Sequence, residues 1–133
     1  MELVRGVPLF SDLGKKDSEE LARTFKERTF SAGDVIAAEG QRGIGFFIIE
    51  AGTARVTRGG EERVTLGPGD YFGEIALIDD GPRTASVTAD TDLTCWGLTS
   101  WEFRPLVETN AEIAWKLLEG LAKRVRALEQ IAG

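Results

Sequence analysis

Histidine is absent from the 133-residue sequence, and cysteine occurs once, at Cys95. Without imidazole the chain lacks the commonest metal ligand and the usual general base, and one thiol builds neither an internal disulfide nor an iron–sulfur cluster. Much enzymology is thereby excluded, including a histidine-ligated metal centre on a β-roll, and the chain reads as a non-enzyme with no cofactor. Long apolar runs are missing too. The longest, Ile44 to Ile49, is interrupted by Gly45 and falls far short of the about 20 residues of a membrane span. The N-terminal "MELVRGVPLF" has no apolar signal core. These features predict a cytoplasmic protein with no membrane partner. Positive charge is in deficit, with 16 Lys and Arg against 22 Asp and Glu for a net charge of −6. Such a surface repels nucleic acid and anionic lipid, so any phosphate must be met by a local arrangement of donors.

What is present is enough for one core. With 42% apolar and 29% charged residues, the chain lies in the globular range, and residues 1–133 read as a single domain. Three zones follow one another. In "KKDSEELARTF", Asp17 as N-cap and Glu20 three residues later predict a short helix over about 17–26, with Leu21, Ala22 and Phe25 on one face. Between about 28 and 98 lie "DVIAA", "FFIIE", "TARVTR", "RVTLG", "SVTA" and "TCWGL", separated by turns such as "AEGQRGIG", "RGGEE" and "GPGD". Short strands at this spacing predict a mainly β fold: an antiparallel, jelly-roll-like β-roll with flanking helices. Cys95 and the tryptophans Trp96, Trp101 and Trp115 read as core or interface residues, Cys95 as a small buried hydrophobe.

The last zone is helical. Ser100 is expected to cap a helix over about 101–108, and Thr109 with Glu112 to open a second over about 110–130. On the second, Ile113, Leu117, Leu121, Val125 and Leu128 form one apolar stripe. A stripe that long requires a partner, either the β-roll or a copy of itself, which makes a homodimer through this helix the expected assembly.

The stretch "FGEIALIDDGPRTASVTA", residues 72–89, holds the candidate chemistry. Gly73 allows a tight exit from a strand, "EIAL" supplies one helical turn with free N–H groups at its start, and Arg83 returns toward them at the beginning of the next strand. A guanidinium facing backbone donors makes a cradle for phosphate. Glu74, being anionic, suits a neighbouring hydroxyl instead, such as a ribose 2′-OH. Phosphate together with hydroxyl points to a nucleotide. The plainer alternatives are an Arg83 that pairs with Asp79 or Asp80 at the surface, and a Glu74 that merely favours a helix N-terminus.

On Phe72, Gly73, Glu74, Ile75, Ala76 and Leu77, then Arg83, Thr84, Ala85, Ser86 and Val87 after a short turn, the segment resembles the phosphate-binding cassette of the cyclic nucleotide-binding domain family. That family includes the catabolite activator and kinase regulatory subunit types. "PLFSDL", "FSAGDVIAAEG", "FFIIEAGTARV" and "LGPGDYFGE" extend the resemblance over most of the chain. Ile44 departs from it, standing where the family often has Asp. The resemblance implies that Arg83 pairs with the cyclic phosphate, that the N–H groups of Ala76 and Thr84 complete its cradle, and that Gly73 and Glu74 hold the ribose. Ile75 and Ala85 complete the ligand site, with the last helix as a lid carrying Arg124, Leu128 and Glu129 toward the base.

The choice of base rests on few residues. Thr after the cassette Arg occurs in several members that prefer cyclic GMP, yet bacterial cyclic AMP receptors also carry a hydroxyl residue there. A lid carboxylate such as Glu129 would favour the N1–H and N2–H donors of guanine if it reached them. The family's bacterial activators read adenine with adjacent hydroxyl residues on this helix, where this chain has Leu128 and Glu129. Cyclic AMP is the expected ligand and cyclic GMP the alternative. The resemblance also implies a sensor that signals by movement of the last helix. A helix-turn-helix would begin about where the sequence stops, so no nucleic-acid partner is expected for this chain alone, whether it is a stand-alone sensor or part of a longer protein. A scaffold that keeps the fold without binding nucleotide is the competing reading.

Overall fold

The computed structural model describes residues 2–42, 45–79 and 81–132. Two four-stranded antiparallel sheets form its centre. The first has the order β1 (Lys26–Phe30), β8 (Leu93–Leu98), β3 (Phe46–Ala51), β6 (Tyr71–Phe72). The second has the order β2 (Val35–Ala37), β7 (Ser86–Ala89), β4 (Ala54–Arg58), β5 (Glu61–Leu66). Four helices flank the sheets, α1 (Glu2–Arg5), α2 (Lys15–Thr24), α3 (Ser100–Thr109) and α4 (Ala111–Ala132). The fold is thus the mainly β roll with terminal helices expected from the strand spacing.

Strand β3 explains the layering. Its side chains alternate in direction, and both faces are buried. Phe46 and Ile48 join a core built with Val4, Val7, Leu9 and Phe10 from the N-terminal helical segment and with Phe103, Ile113 and Leu117 from α3 and α4. Phe47 and Ile49 point the other way, into a second core between the sheets with Ala54, Phe72, Val87, Leu93 and Cys95. Edge-to-face rings tighten both cores, Phe10 on Phe46 with centroids 5.8 Å apart and Phe30 on Phe47 at the same distance,. Cys95 is fully buried, and burial pushes its thiol up to about 12.

Several boundaries differ from the expected ones. The first long helix begins at Lys15 rather than Asp17, with Gly14 as its cap and Asp17 in its first turn. It ends before Lys26, which opens strand β1 instead. A short helix, α1, and a 3-10 turn at Pro8–Phe10 precede it. Thr99, not Ser100, caps α3: the Glu102 carboxylate accepts from the Thr99 backbone N–H at 3.2 Å and from its hydroxyl at 2.7 Å. Asn110, not Thr109, caps α4, its Oδ1 accepting from the Ile113 N–H at 3.2 Å. Thr109 closes the preceding helix, where its hydroxyl donates to the Pro105 carbonyl at 2.8 Å. In each pair the two neighbours are both accepted cap residues, so tertiary packing decides which one leaves the helix.

The apolar stripe of α4 divides. Ile113 and Leu117 are buried, Leu121 is half-buried against the helical core, and Val125 and Leu128 are exposed. At Gly120 α4 passes over the 3-10 turn at ordinary contact distance, since a Cβ there would lie 3.5 Å from the Leu9 carbonyl oxygen. Lys123 pairs with Asp12 at 2.9 Å on the same side.

Candidate functional site

The site grows from two glycines and one arginine. Strand β6 ends at Phe72, and Gly73 follows with φ of +87°, a left-handed conformation that favours glycine,. The chain then makes the expected single helical turn, which takes the 3-10 form, over Glu74–Leu77. A Cβ on Gly73 would sit 2.6 Å from the Gly45 carbonyl oxygen and would also run into the Arg83 guanidinium. That carbonyl is in turn where Arg83 is seated, accepting a hydrogen bond from Nη2. Gly45 is itself wedged in place, for a Cβ there would come within 2.6 Å of the Leu98 carbonyl oxygen.

Pairing with a distant turn fixes the backbone of Arg83. Its N–H donates to the Gln41 carbonyl at 2.9 Å, and its carbonyl accepts from the Gly40 N–H at 2.8 Å. The side chain therefore leaves a clamped backbone and crosses the floor of a cavity. Its Nε is buried and meets no hydrogen-bond partner among the described residues. Burial lowers the pKa of this guanidinium, and the Glu74 carboxylate acts in the opposite sense. An orphaned donor on a buried cation is costly and calls for an acceptor. No ion pair joins Arg83 to Asp79 among the described residues; Asp80 lies outside them, as does Ile44.

All seven cassette residues singled out in the sequence line this cavity of about 450 Å3: Gly73, Glu74, Ile75, Ala76, Arg83, Thr84 and Ala85. Phe72, Val56 and Val87 supply its apolar wall, and Asp79, Gly81 and Pro82 the turn at its rim. Val56 and Val87 are direct partners across β4 and β7 of the second sheet, and Phe72 comes from β6 of the first, so the wall draws on both sheets,. The backbone donors divide. The Ala76 N–H is already engaged with the Gly73 carbonyl at 3.1 Å. The N–H groups of Thr84 and Ala85 have no acceptor among the described residues.

The lid residues are placed differently from the cassette. None of Arg124, Leu128 and Glu129 lines the cavity, and Leu128 and Glu129 are exposed. Arg124 reaches the cassette nonetheless, its Nη2 lying 3.4 Å from Glu74 Oε1. The Glu74 side chain is 14% exposed. Tyr71, half-buried beside this pair, has its hydroxyl pKa raised chiefly by burial and next by the Glu74 charge, with Arg124 opposing. A second hollow, of about 430 Å3, lies between the 3-10 turn and α3, walled by Ile78, Trp101, Phe103 and Val107. Its charged groups, Arg104 and Glu108, pair with each other at 3.2 Å, so the hollow presents no unpaired cation to an anion.

Chemically, the first cavity offers one fixed guanidinium with a spare donor, two unengaged N–H groups, the Glu74 carboxylate from the 3-10 turn, and an apolar wall. That combination suits an anionic ligand carrying a hydroxyl and a flat apolar group. Sequence reasoning missed Gly45, Gln41 and Val56. Each is more than 25 positions from Arg83 or on another strand, and only the register of the fold brings them together.

Comparison with known proteins agrees with this geometry. Residues 27–110, more than half of the chain, match the cyclic nucleotide-binding domain. The chain belongs to that family. It is 44% identical over 92 residues to a cAMP-dependent protein kinase regulatory subunit of Yarrowia lipolytica, covering 68% of this chain and 24% of that one. A cGMP-dependent protein kinase of Plasmodium berghei is 37% identical over 107 residues, 80% of this chain and 12% of the kinase. Among solved structures, the N-terminal domain of a transcriptional regulator from Streptomyces coelicolor superposes with a TM-score of 0.87 at 32% identity, covering 96% of this chain and 95% of that one. The chain thus spans about a quarter or less of the two curated relatives and nearly the whole of the solved domain. As a family member it is a cyclic nucleotide-binding regulatory domain. No helix among the described residues is long and apolar enough to cross a membrane.

Proposed function

We propose that this domain binds cyclic AMP in preference to cyclic GMP in the cassette cavity and transmits occupancy through α4. The observation that carries the reading is the buried Arg83 Nε, held without a partner over the floor of a cavity lined by Gly73 and Glu74. A cyclic phosphate supplies the missing acceptor, with the Thr84 and Ala85 N–H groups beside it. Glu74 takes the ribose 2′-OH, and Val56 and Val87 pack against the purine. Ala76 contributes contact rather than a hydrogen bond, because its N–H is spent within the turn.

Adenine is supported by what stands at the base end. Glu129, the lid carboxylate suited to guanine donors, is exposed and outside the lining. The higher identity to a cyclic AMP-dependent subunit points the same way. The signalling role of α4 is supported by the Arg124–Glu74 contact, which joins the helix to the carboxylate that would hold the ribose. A homodimer through the exposed half of α4 is supported by its apolar side chains, and the net charge of −6 argues against nucleic acid as a partner of this chain alone,. The reading makes the domain a non-catalytic sensor of the cytoplasm, where its free thiol stays reduced.

The test is calorimetry with both nucleotides. A ligand present at about 100 times its Kd stabilises the fold by about 2.7 kcal/mol, which a thermal shift registers. Arg83→Ala is expected to weaken binding by about tenfold or more, since a charge-assisted hydrogen bond contributes about 1.5–3 kcal/mol. Unchanged affinity in that variant refutes the assignment. Thr84→Ala is expected to leave cyclic AMP the tighter ligand, and a selective loss of cyclic GMP would show Thr84 reading guanine.

A further inference from the structure

One stretch of backbone braces two sides of the cassette cavity. Residues 38–42, which leave β2, lie along residues 82–86. The Glu39 N–H donates to the Ser86 hydroxyl at 2.9 Å, the Gly40 N–H donates to the Arg83 carbonyl at 2.8 Å, and the Gln41 carbonyl accepts from the Arg83 N–H at 2.9 Å. Arg42 and Pro82 continue the pairing as an isolated bridge. The Glu39 side chain turns elsewhere. Its Oε1 accepts from the Gly59 N–H at 2.8 Å. Gly59 and Gly60, with φ of +60° and +79°, are the whole turn between β4 and β5, a two-residue hairpin of the kind that needs positive φ at both positions.

This hairpin carries Val56 into the cavity wall but is weakly held beyond it. Strand β5 is an edge strand, and Glu61, Glu62, Arg63, Val64 and Thr65 are all exposed. A bulge follows the wall residue directly: Val56 pairs with Val64 but Thr57 with Glu62, which leaves Arg63 over. A bulge bends the strand and re-aims what lies next to it. Past that point β4 keeps one partner on β7, Thr57 against Ser86, and the turn itself is fastened by Glu39. Glu39 is exposed and lies outside the cavity lining. We propose that Glu39 is a positioning residue for the ligand: its carboxylate ties the bent end of the hairpin to the segment that clamps Arg83, so that the apolar wall and the guanidinium keep one separation. This role presupposes the nucleotide reading, in which the phosphate meets Arg83 and the base meets Val56.

Calorimetric titration with cyclic AMP tests the role. Glu39→Ala removes the acceptor and leaves the backbone bonds to Ser86 and Arg83 in place, and affinity is expected to fall by about fivefold. Glu39→Gln keeps a side-chain oxygen at the same reach and is expected to stay within about twofold of the parent. Val56→Ala removes the wall residue itself, so in that background Glu39→Ala is expected to cost no more than about a further twofold. A merely destabilising change would add to Val56→Ala in full. Hydrogen exchange of the ligand-free protein reads the contact directly: the Gly59 amide is expected to exchange about fivefold faster in Glu39→Ala and at the parental rate in Glu39→Gln. Unchanged cyclic AMP affinity in Glu39→Ala, a loss that persists undiminished without Val56, a Gln variant as weak as the Ala variant, or unaltered Gly59 exchange would each overturn the proposal. A parent protein that binds no cyclic nucleotide would overturn the binding assignment itself, so the two failures are told apart by the parent titration.

Discussion

The two hydrophobic cores share strand β3 but are closed in different ways. The core reached by Phe46 and Ile48 is sealed by side chains of the N-terminal segment, α2, α3 and α4. The core reached by Phe47 and Ile49 lies between the sheets and runs out at Phe72 and Val87, which line the cassette cavity. Where the first core ends on more apolar atoms, the second ends on a buried guanidinium with an unused donor. One core maximises packing, and the other gives up a local optimum to leave a site. Strain and unsatisfied polarity are tolerated because the sealed core is large enough to carry the fold.

The largest effect that separates the two cores is expected from Phe46→Ala. It empties the centre of the sealed core, where Phe46 contacts the rings of Phe10, Phe25 and Tyr71. A loss of about 3–5 kcal/mol in chemical denaturation is expected. A loss below about 1 kcal/mol would mean that this core does not dominate stability.

Gly73→Ala is next. It combines a positive φ with a contact at 2.6 Å to the Gly45 carbonyl oxygen, and about 1–3 kcal/mol of backbone strain is expected together with impaired ligand binding. Arg83→Met is the more pointed comparison. It keeps the length of the side chain and removes the orphaned donor, so thermal stability is expected to hold or rise by about 1 kcal/mol while nucleotide binding is lost. A marked loss of stability would show Arg83 to be structural first.

The smallest effect concerns the cap of α3. Burial alone would raise the pKa of Glu102, but hydrogen bonds from Lys26 and Thr99 outweigh it and the net shift is downward. A carboxylate lowered in the folded state contributes stability that is present above its unfolded value and is lost as pH falls through the lower, folded value. Glu102→Gln is therefore expected to flatten the acid limb of stability against pH, with little change in ligand affinity. An unaltered acid limb would place the acid-sensitive group elsewhere.

How much was legible in the sequence followed from how local each feature is. The strand, glycine, helical turn and arginine of the cassette lie within 18 positions, and each is signalled by its own residue types, so the turn and seven of the residues that line the cavity were readable. Strand β1 was not fully readable, because "KERTF" is mostly exposed and shows no apolar alternation; its state is set by pairing with β8, some 67 positions away,. The seat of Arg83 is a side-chain hydrogen bond to the Gly45 backbone carbonyl across 38 positions, and a carbonyl acceptor leaves no pattern in residue types. The stripe of α4 was read correctly as apolar, but periodicity alone does not tell which turns face the protein and which face outward. The division follows the packing of Ile113 and Leu117 into the helical core, with Lys123 paired to Asp12 of the N-terminal segment near its end.

The three tryptophans have a practical consequence. Trp96 is half-buried in the first sheet and donates to Glu50 at 3.2 Å, whereas Trp101 on α3 and Trp115 on α4 stand in water. The molecule therefore carries its own optical gauge: one indole on the fixed scaffold and one on each of helices α3 and α4. A shift of emission toward shorter wavelength on adding ligand or raising concentration would report those helices becoming covered, without any attached dye.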